Sequence, residues 1–186
     1  GQLGLGDTSQ RNSPVQVGAL TDWLYLSSGY KFGIALKTDG TLWAWGKNAY
    51  GQLGQGNTTS YSSPVQVGAL TTWEAVAAGK YFVLAKKTDG TIWSWGNGYL
   101  GALGHGNTVN ASSPVQIGSD SDWADVGGGN GYMAALKDNG TLWTCGNGVY
   151  GKLGHGNVTS LSSLTQVGSL TTWAKISLQA KHIIGI

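Results

Sequence analysis

The sequence repeats itself with a period of 50 residues, and this periodicity limits the fold more than any other feature. A glycine-rich tetrapeptide opens each unit, at Gly1, Gly51, Gly101 and Gly151. A tryptophan follows at the same step, at Trp23, Trp73, Trp123 and Trp173. Because neither marker drifts, no unit has gained or lost residues. The chain is therefore one segment of tandem repeats, with units 1–50, 51–100, 101–150 and a shorter 151–186.

Each unit contains short apolar runs separated by glycine, a pattern that favours strands over helices. In the first unit we expect strand a at 23–27, strand b at 32–37 and strand c at 41–46, with strand d at 64–67 after a glycine-rich connection. Pro64 at the start of strand d suits an outer edge strand, because proline has no N–H to donate. Four short antiparallel strands per unit predict an all-β fold, a β-propeller of four-stranded blades.

An Asp-Gly or Asn-Gly pair separates strands b and c in the first three units, beginning at Asp39, Asp89 and Asn139. These pairs accept positive φ at both central residues, so they predict a type I′ hairpin turn. Strand c then carries Trp43 and Trp45, which lie two residues apart and therefore on the same face of the strand. We expect these tryptophans to fill the space between neighbouring blades as core residues.

The order of these motifs resembles the regulator of chromosome condensation repeat family, in which a G-x-L-G-x-G loop precedes A/S-G and D-G-x-x-W-x-W-G. The matching segments are GQLGLG at Gly1, SSG at Ser27, TDGTLWAWG at Thr38, GQLGQG at Gly51, TDGTIWSWG at Thr88, GALGHG at Gly101 and DNGTLWTCG at Asp138. The resemblance covers all 186 residues. It implies a seven-bladed propeller, of which this chain would form about half, or about 3.7 blades.

The chain departs from the family pattern at two positions of the repeat. The family commonly has histidine near the start of strand b. The first three units instead have an aromatic residue at this position, which is Phe32, Phe82 or Tyr132, and only the last unit has the histidine, His182. An aromatic ring keeps the bulk of histidine but removes a polar anchor, so no family role is carried over from it. Cys145 replaces the second tryptophan of strand c, and we expect it to be buried and inert.

The fourth unit ends at Ile186, within strand b, before a turn and strand c. We interpret the chain as a segment of a longer array or a proteolytic core. Open ends of such an array would expose unpaired strand edges. We therefore expect a neighbouring segment or a second copy to complete the ring, and we predict self-association.

The composition argues against several classes of partner. A net charge of +2, with eleven scattered basic residues, predicts no nucleic-acid binding surface. No apolar run approaches the ~20 residues needed to cross a bilayer, so no membrane insertion is expected. Cys145 is the single cysteine of the sequence and excludes an internal disulfide.

No combination of residues predicts a catalytic site, a metal site or a cofactor. His105 and His155 occupy the same loop position in consecutive units, so we expect them to lie about one blade apart and to be solvated rather than joint metal ligands. Asp120, Asp122 and Asp125 cluster near the turn between strands d and a, but they lack the residue order of a known calcium loop. The chain is predicted not to be an enzyme.

Strand order assigns the loops to two faces of the blades. The a–b and c–d connections share one face, which we call the loop face, and the nearly invariant b–c and d–a turns share the other. The loop face carries most of the sequence variation, including the a–b pairs at 30–31, 80–81, 130–131 and 180–181, and variable loops on a rigid scaffold usually bind partners. The candidate partner-binding residues are Arg11, Tyr30, Lys31, Tyr50, Tyr61, Lys80, Tyr81, Tyr99, Asn130 and Tyr150.

These observations predict a non-catalytic protein-interaction or assembly scaffold that contacts an unidentified protein through the loop face. The regularity of the repeats favours a bacterial or phage surface or structural component. The family resemblance implies two alternatives, a guanine-nucleotide exchange factor for a small GTPase and a propeller-type enzyme inhibitor. One fold serves many functions, so the fold alone does not choose between them.

Overall fold

The computed structural model describes residues 1–19, 21–178 and 182–186 as three full blades and the beginning of a fourth. The first blade contains β1 (Trp23–Gly29), β2 (Phe32–Lys37), β3 (Leu42–Gly46) and β4 (Tyr61–Gln66). The second contains β5 (Trp73–Ala78), β6 (Phe82–Lys87), β7 (Ile92–Gly96) and β8 (Ala111–Gln116). The third contains β9 (Trp123–Gly128), β10 (Tyr132–Lys137), β11 (Leu142–Gly146) and β12 (Leu161–Gln166). The fourth contains β13 (Ile176–Leu178) and β14 (Ile183–Gly185).

The blades follow one another along an open arc, and this arrangement confirms the predicted propeller fold. Strands within each blade are antiparallel and pair in chain order. The first strands of successive blades, β1, β5, β9 and β13, lie side by side. Two short 3₁₀ turns lie in the connections at Tyr99–Gly101 and Val149–Gly151. No helix in the described part of the chain is long and apolar enough to cross a membrane.

The fourth strand of the first blade begins three residues earlier than the sequence predicts. In the first blade β4 starts at Tyr61, so Pro64 lies inside the strand instead of opening it. Ala44 pairs with Val65 and Gly46 pairs with Tyr61, and the register shifts between these two pairs. Pro64 therefore falls in the irregular stretch, where the ladder does not need its missing N–H.

The turn between strands b and c is not the type I′ turn that the Asp-Gly pair predicts. Gly40 has a φ of 77°, but Asp39 is not among the residues with positive φ. The Gly40 N–H donates to the Lys37 carbonyl (3.0 Å), and the Lys37 N–H donates to the Thr41 carbonyl (2.9 Å). This is a three-residue loop that ends in a left-handed glycine. A Cβ at Gly40 would also lie 2.2 Å from the Thr71 carbonyl oxygen of the next blade, so only glycine fits.

The aspartate of this turn is explained by its hydrogen bonds. Asp39 Oδ1 accepts from the Thr41 hydroxyl (2.7 Å) and from the Thr41 N–H (3.0 Å), and these bonds lower the pKa of the carboxyl. The Thr41 hydroxyl in turn accepts from Trp43 Nε1 (2.9 Å). The second and third blades repeat the same chain of bonds, with Asn139 replacing aspartate in the third. The turn and the tryptophan are thus fixed together.

The hydrophobic core lies between blades, as the sequence predicts. One cluster joins the first two blades and includes Phe32, Leu42 and Trp95. A second cluster joins the second and third blades and includes Phe82 and Cys145. The Cys145 side chain is buried, as expected.

The first and second long connections between strands c and d each pack on the outer strand of the following blade. The Gly56 N–H donates to the Ser112 carbonyl of β8 (2.8 Å), and the Gly106 N–H donates to the Ser162 carbonyl of β12 (2.8 Å). Strand c of the following blade also contacts this loop, because Trp95 Nε1 donates to the Gln52 carbonyl (3.1 Å). A blade therefore takes its strands from two adjacent sequence repeats.

Candidate binding face

The a–b and c–d connections lie on one face and are joined by backbone hydrogen bonds. In each full blade the first residue of the c–d loop donates to the carbonyl of an a–b turn residue, which gives the pairs Lys47 to Lys31 (2.8 Å), Asn97 to Tyr81 (3.0 Å) and Asn147 to Gly131 (2.8 Å). Neighbouring a–b turns are also joined, since the Tyr30 N–H donates to the Lys80 carbonyl (2.8 Å) and the Lys80 N–H to the Gly129 carbonyl (3.0 Å). The loop face is therefore a connected surface.

Three tyrosines form a cluster on this face, which we call the tyrosine cluster (Tyr30, Tyr50 and Tyr81). The ring centroids of Tyr30 and Tyr81 are 5.5 Å apart, and those of Tyr50 and Tyr81 are 5.4 Å apart, both with edge-to-face geometry. Two ammonium groups lie over the rings, with Lys31 Nζ 5.3 Å from the Tyr30 centroid and Lys80 Nζ 5.2 Å from the Tyr81 centroid. Aromatic and cationic groups are thus presented together.

A cleft of about 580 Å³ opens beside the tyrosine cluster, and we call it the asparagine cleft. It takes residues from the loops of all three full blades. Its lining consists of Tyr50, Tyr81, Phe82, Asn97, Tyr99, Ala102, Thr108, Asn110, Asn130, Gly131 and Asn147. Four of these are asparagines and none is lysine, arginine, histidine, aspartate or glutamate, so the cleft is polar but uncharged at neutral pH.

Three of the asparagines use their side-chain oxygen to hold the local backbone. Asn97 Oδ1 accepts from the Tyr99 N–H (2.8 Å), Asn110 Oδ1 from the Gly98 N–H (3.0 Å) and Asn147 Oδ1 from the Val149 N–H (2.9 Å). Their Nδ2 groups have no hydrogen-bond partner within residues 1–19, 21–178 and 182–186. The hydrogen-bonding capacity that these side chains leave open at the cleft is therefore mainly donor capacity.

The structure brings most of the predicted partner-binding residues together. Tyr50, Tyr81, Tyr99 and Asn130 line the asparagine cleft. Tyr30, Lys31 and Lys80 lie beside it around the tyrosine cluster. The fourth a–b pair, Ala180-Lys181, lies outside the described residues.

Three predicted residues lie apart from this group. Arg11 lies in the N-terminal loop and pairs with Asp7, with 2.6 Å between Nη2 and Oδ2. Tyr61 is the first residue of β4 rather than a loop residue, and it packs half-buried against the core of the first two blades. Tyr150 is 81% exposed and does not line the cleft.

Of the four cleft asparagines, only Asn130 was predicted from the sequence as a binding residue. Asn97 and Asn147 belong to the variable c–d loops, and Asn110 begins an Asn-x-Ser tripeptide, but neither feature indicates a binding residue. A signal for Asn110 was present in the repeat, because the first and third c–d loops have Ser60 and Ser160 at the same position. Spacing alone does not show which side-chain groups a folded loop leaves unpaired.

The loop histidines are half-buried structural residues, not the solvated residues that the sequence predicts. The Ser94 hydroxyl donates to the Leu103 carbonyl (2.7 Å), so it accepts from His105 Nε2 (2.9 Å). Burial lowers the pKa of His105, and a hydrogen bond with the Val115 backbone only partly opposes this effect. His155 Nε2 lies 3.0 Å from the Thr144 hydroxyl in the same way.

The aspartates near the third blade bind a lysine. Lys137 Nζ lies 2.6 Å from Asp120 Oδ2 and 2.9 Å from Asp122 Oδ1. Burial opposes the charge of Lys137, but its hydrogen bonds to Asp120 and Asp122 outweigh burial and raise its pKa. Within the described ranges, no group of three or more His, Cys, Asp or Glu residues is placed to hold a metal ion.

Solved propellers resemble the chain over nearly its whole length. Human WBSCR16 superimposes with a TM-score of 0.88 and 22% identity, over 99% of this chain and 50% of that one. Prp20p of Saccharomyces cerevisiae, described as binding Gsp1p and histones, superimposes with a TM-score of 0.86 and 19% identity, over 99% of this chain and 49% of that one. Yeast RCC1 (Prp20) bound to Kap60 superimposes with a TM-score of 0.83 and 20% identity, over 98% of this chain and 46% of that one. The chain spans about half the length of these proteins.

The sequence of the chain places it in a narrower group of proteins than its fold does. No curated protein matches the chain. The model of the regulator of chromosome condensation (RCC1) repeat matches residues 39–85 and 89–136, which is just over half of the 186 residues. A second model of the same repeat matches residues 25–52 and 73–102. With the blade architecture and the repeated turn motifs, these matches show that the chain belongs to the regulator of chromosome condensation (RCC1) repeat family.

Proposed function

We propose that this chain is a non-catalytic protein-interaction module whose loop face contacts a partner protein. The observation that carries the proposal is the tyrosine cluster with its two lysines, held on a face where backbone hydrogen bonds link neighbouring blades. Tyrosine is enriched among the residues that dominate protein interfaces, and a preorganised surface loses little entropy on binding.

The reactive side chains support a role without catalysis. His105 and His155 are engaged with hydroxyl groups inside their own blades. The Cys145 thiol is buried, and burial raises its pKa far above neutrality, so it is not a nucleophile in the folded chain. The protein partners named for Prp20p and yeast RCC1 are consistent with a binding role, although these relatives share only the fold with this chain.

The proposal is tested by comparing partner retention between matched variants of the two faces. The immobilised chain is exposed to an extract of its source cells, and retained proteins are identified by mass spectrometry. Tyr30→Ala/Tyr81→Ala removes part of the tyrosine cluster, whereas Thr38→Ala/Thr88→Ala changes two exposed residues of the opposite face. We expect a specific partner to be lost with the first pair and kept with the second.

Retention by both variants, or loss with both, would contradict the assignment of the loop face. If the retained partner is a small GTPase, a nucleotide-release assay then separates an exchange factor from a scaffold. Accelerated release would identify an exchange factor, and unchanged release would favour the scaffold.

We also propose that a second copy of the chain covers strand β1. Leu24, Tyr25 and Leu26 are 61%, 54% and 63% exposed. At the position of Leu26, β5 has Val76 (3% exposed) and β9 has Val126 (8%), both buried between blades. Light scattering coupled to size exclusion should show a dimer that Leu26→Lys dissociates and that Thr88→Lys, at an exposed position outside β1, preserves. A monomer in the unmodified chain would contradict self-association.

A further inference from the structure

We propose that the asparagine cleft binds a proline-rich segment in the polyproline II conformation. The inference rests on the proposed function, because it names the chemical class of partner for the same face. The cleft volume of about 580 Å³ lies within the range of ligand sites in proteins.

The apolar contribution comes from three tyrosine rings. Tyr50 and Tyr81 are already in edge-to-face contact, and Tyr99 is 69% exposed at the edge of the cleft. Aromatic-lined grooves recognise proline-rich segments because the pyrrolidine rings pack on the aromatic faces and the extended helix is already formed before binding. The tyrosines therefore offer the surface that such a segment needs.

The polar contribution comes from amide donors. Because the Oδ1 atoms of Asn97, Asn110 and Asn147 each already accept from a backbone N–H, most of the hydrogen-bonding capacity left open is that of their Nδ2 donors. A polyproline II segment makes no internal hydrogen bonds, so its carbonyl groups are available, and proline has no N–H that would need an acceptor. A lining rich in donors and an acceptor-only backbone are complementary.

The absence of charged side chains from the lining distinguishes this cleft from the corresponding place one repeat earlier. The positions of Tyr81, Asn97 and Asn130 are taken there by lysines, which are Lys31, Lys47 and Lys80. The repeat therefore does not impose a neutral lining. A neutral site favours an uncharged ligand such as a proline-rich segment over an acidic peptide.

Asn110 supplies more than its loop requires. The same position in the first and third c–d loops is serine, and its hydroxyl accepts the same backbone contact. Ser60 Oγ accepts from the Asn48 N–H (3.2 Å), and Ser160 Oγ accepts from the Gly148 N–H (3.2 Å). The amide donor of Asn110 is thus an addition at the cleft, and Asn110→Ser removes it while keeping the contact that holds the loop.

The test is a titration of fluorescein-labelled decaproline with the chain, followed by fluorescence polarisation. A labelled Gly-Ser decapeptide is the control ligand. We expect saturable binding of decaproline alone. Tyr99→Ala and Asn110→Ser should each weaken it at least about fivefold, as expected for interface residues that contribute about 1 kcal/mol. Tyr150→Ala, which removes an exposed tyrosine outside the cleft, should leave the affinity unchanged.

The proposal is overturned if decaproline does not saturate the chain, or if Tyr99→Ala and Asn110→Ser bind it as the unmodified chain does. Saturation by maltohexaose without binding of decaproline would assign the cleft to a neutral sugar and would also overturn it. The two proposals fail separately. Partner capture that depends on Tyr30 and Tyr81 without decaproline binding refutes only this inference, whereas decaproline binding with partner capture independent of both tyrosines refutes only the proposed function.

Discussion

The contact between the first and second blades and the contact between the second and third share a backbone but differ in their side chains. In both, the N–H of the last glycine of a c–d loop donates to a serine carbonyl in the outer strand of the following blade, at 2.8 Å. In the first contact Trp95 Nε1 also donates to the Gln52 carbonyl (3.1 Å). In the second, Cys145 takes the place of this tryptophan, and the indole hydrogen bond has no counterpart.

The lost volume is replaced by neighbouring side chains. The strand b residue opposite Trp95 is Val83, whereas the residue opposite Cys145 is Met133. Residues against the loop glycine change as well, from Val67 in the first contact to Ile117 in the second. Both contacts remain buried. The two contacts therefore share one backbone frame, while the side-chain volume inside it is divided differently among three positions of the repeat.

The largest expected difference between the two contacts comes from truncation to alanine. Trp95→Ala removes a fully buried indole and its hydrogen bond, so it should lower the free energy of unfolding by about 3–5 kcal/mol. Cys145→Ala removes one buried sulfur atom and should cost about 1 kcal/mol. Urea denaturation of both variants measures the difference, and equal losses would show that Met133 and Ile117 do not compensate for the missing ring.

The compensation itself is tested by restoring the tryptophan. Cys145→Trp should destabilise the chain by about 1–3 kcal/mol, because Met133 and Ile117 already fill the space. Adding Met133→Val should recover part of this loss. A double-mutant cycle by urea denaturation should therefore give a coupling above about 0.5 kcal/mol, and additive effects would argue against a shared volume.

A smaller effect is expected at the polar pair of the second blade. His105→Gln introduces the residue that the first blade has at Gln55, whose Nε2 bonds the Leu53 and Gln66 carbonyls. The cost at pH 7 should be about 1 kcal/mol or less. Adding Ser94→Ala rebuilds the first-blade pair of Ala44 and Gln55, so the double variant should be no less stable than His105→Gln alone.

The single variant His105→Gln should also change the pH dependence of the free energy of unfolding. The pKa of His105 in the folded chain lies below its ordinary value of 6.5, so the unfolded chain takes up a proton first as the pH falls. The contribution of neutral His105 to the free energy of unfolding is complete above pH 6.5. It is lost as the pH falls from there through the pKa that His105 has in the folded chain. Urea denaturation between pH 7 and 5 should show a flatter profile for His105→Gln, and an unchanged profile would exclude His105 as its source.

The smallest expected effect is the reactivity of the Cys145 thiol under native conditions. Burial raises its pKa and excludes reagent, so modification by a thiol-reactive disulfide should be slow until urea unfolds the chain. Rapid modification before unfolding would show that the second contact opens locally. It would then be weaker than its buried side chains suggest.

The sequence predicted the blade, its inner strands and the interblade core because each depends on periodicity and apolar patterning. The prediction of a type I′ turn at Asp39 was wrong. The aspartate is present because its carboxylate accepts hydrogen bonds from Thr41, not because the position needs positive φ. The start of β4 was wrong because a shift in the ladder accommodates Pro64 inside the strand. These details depend on contacts between strands, which a local pattern does not contain.

The grouping of the a–b and c–d connections on one face could be predicted from strand order, but the cleft could not. Tyr50, Tyr81, Tyr99 and Asn130 were selected as variable loop residues, and the structure brings these four together. The importance of Asn110 depends on which of its two polar atoms the Gly98 N–H occupies. Tyr61 was selected for its residue type, but the early start of β4 places it against the core.

The stagger between sequence repeats and blades has a consequence for how such an array changes during evolution. The four residues that meet at the first contact, Gly54, Val67, Val83 and Trp95, all belong to repeat 51–100. Those of the second, Gly104, Ile117, Met133 and Cys145, all belong to repeat 101–150. A duplication or deletion of one 50-residue unit therefore moves a complete, already matched set of side chains. The inherited module is the joint between blades, so an array can lengthen or shorten without new compensating substitutions in this set.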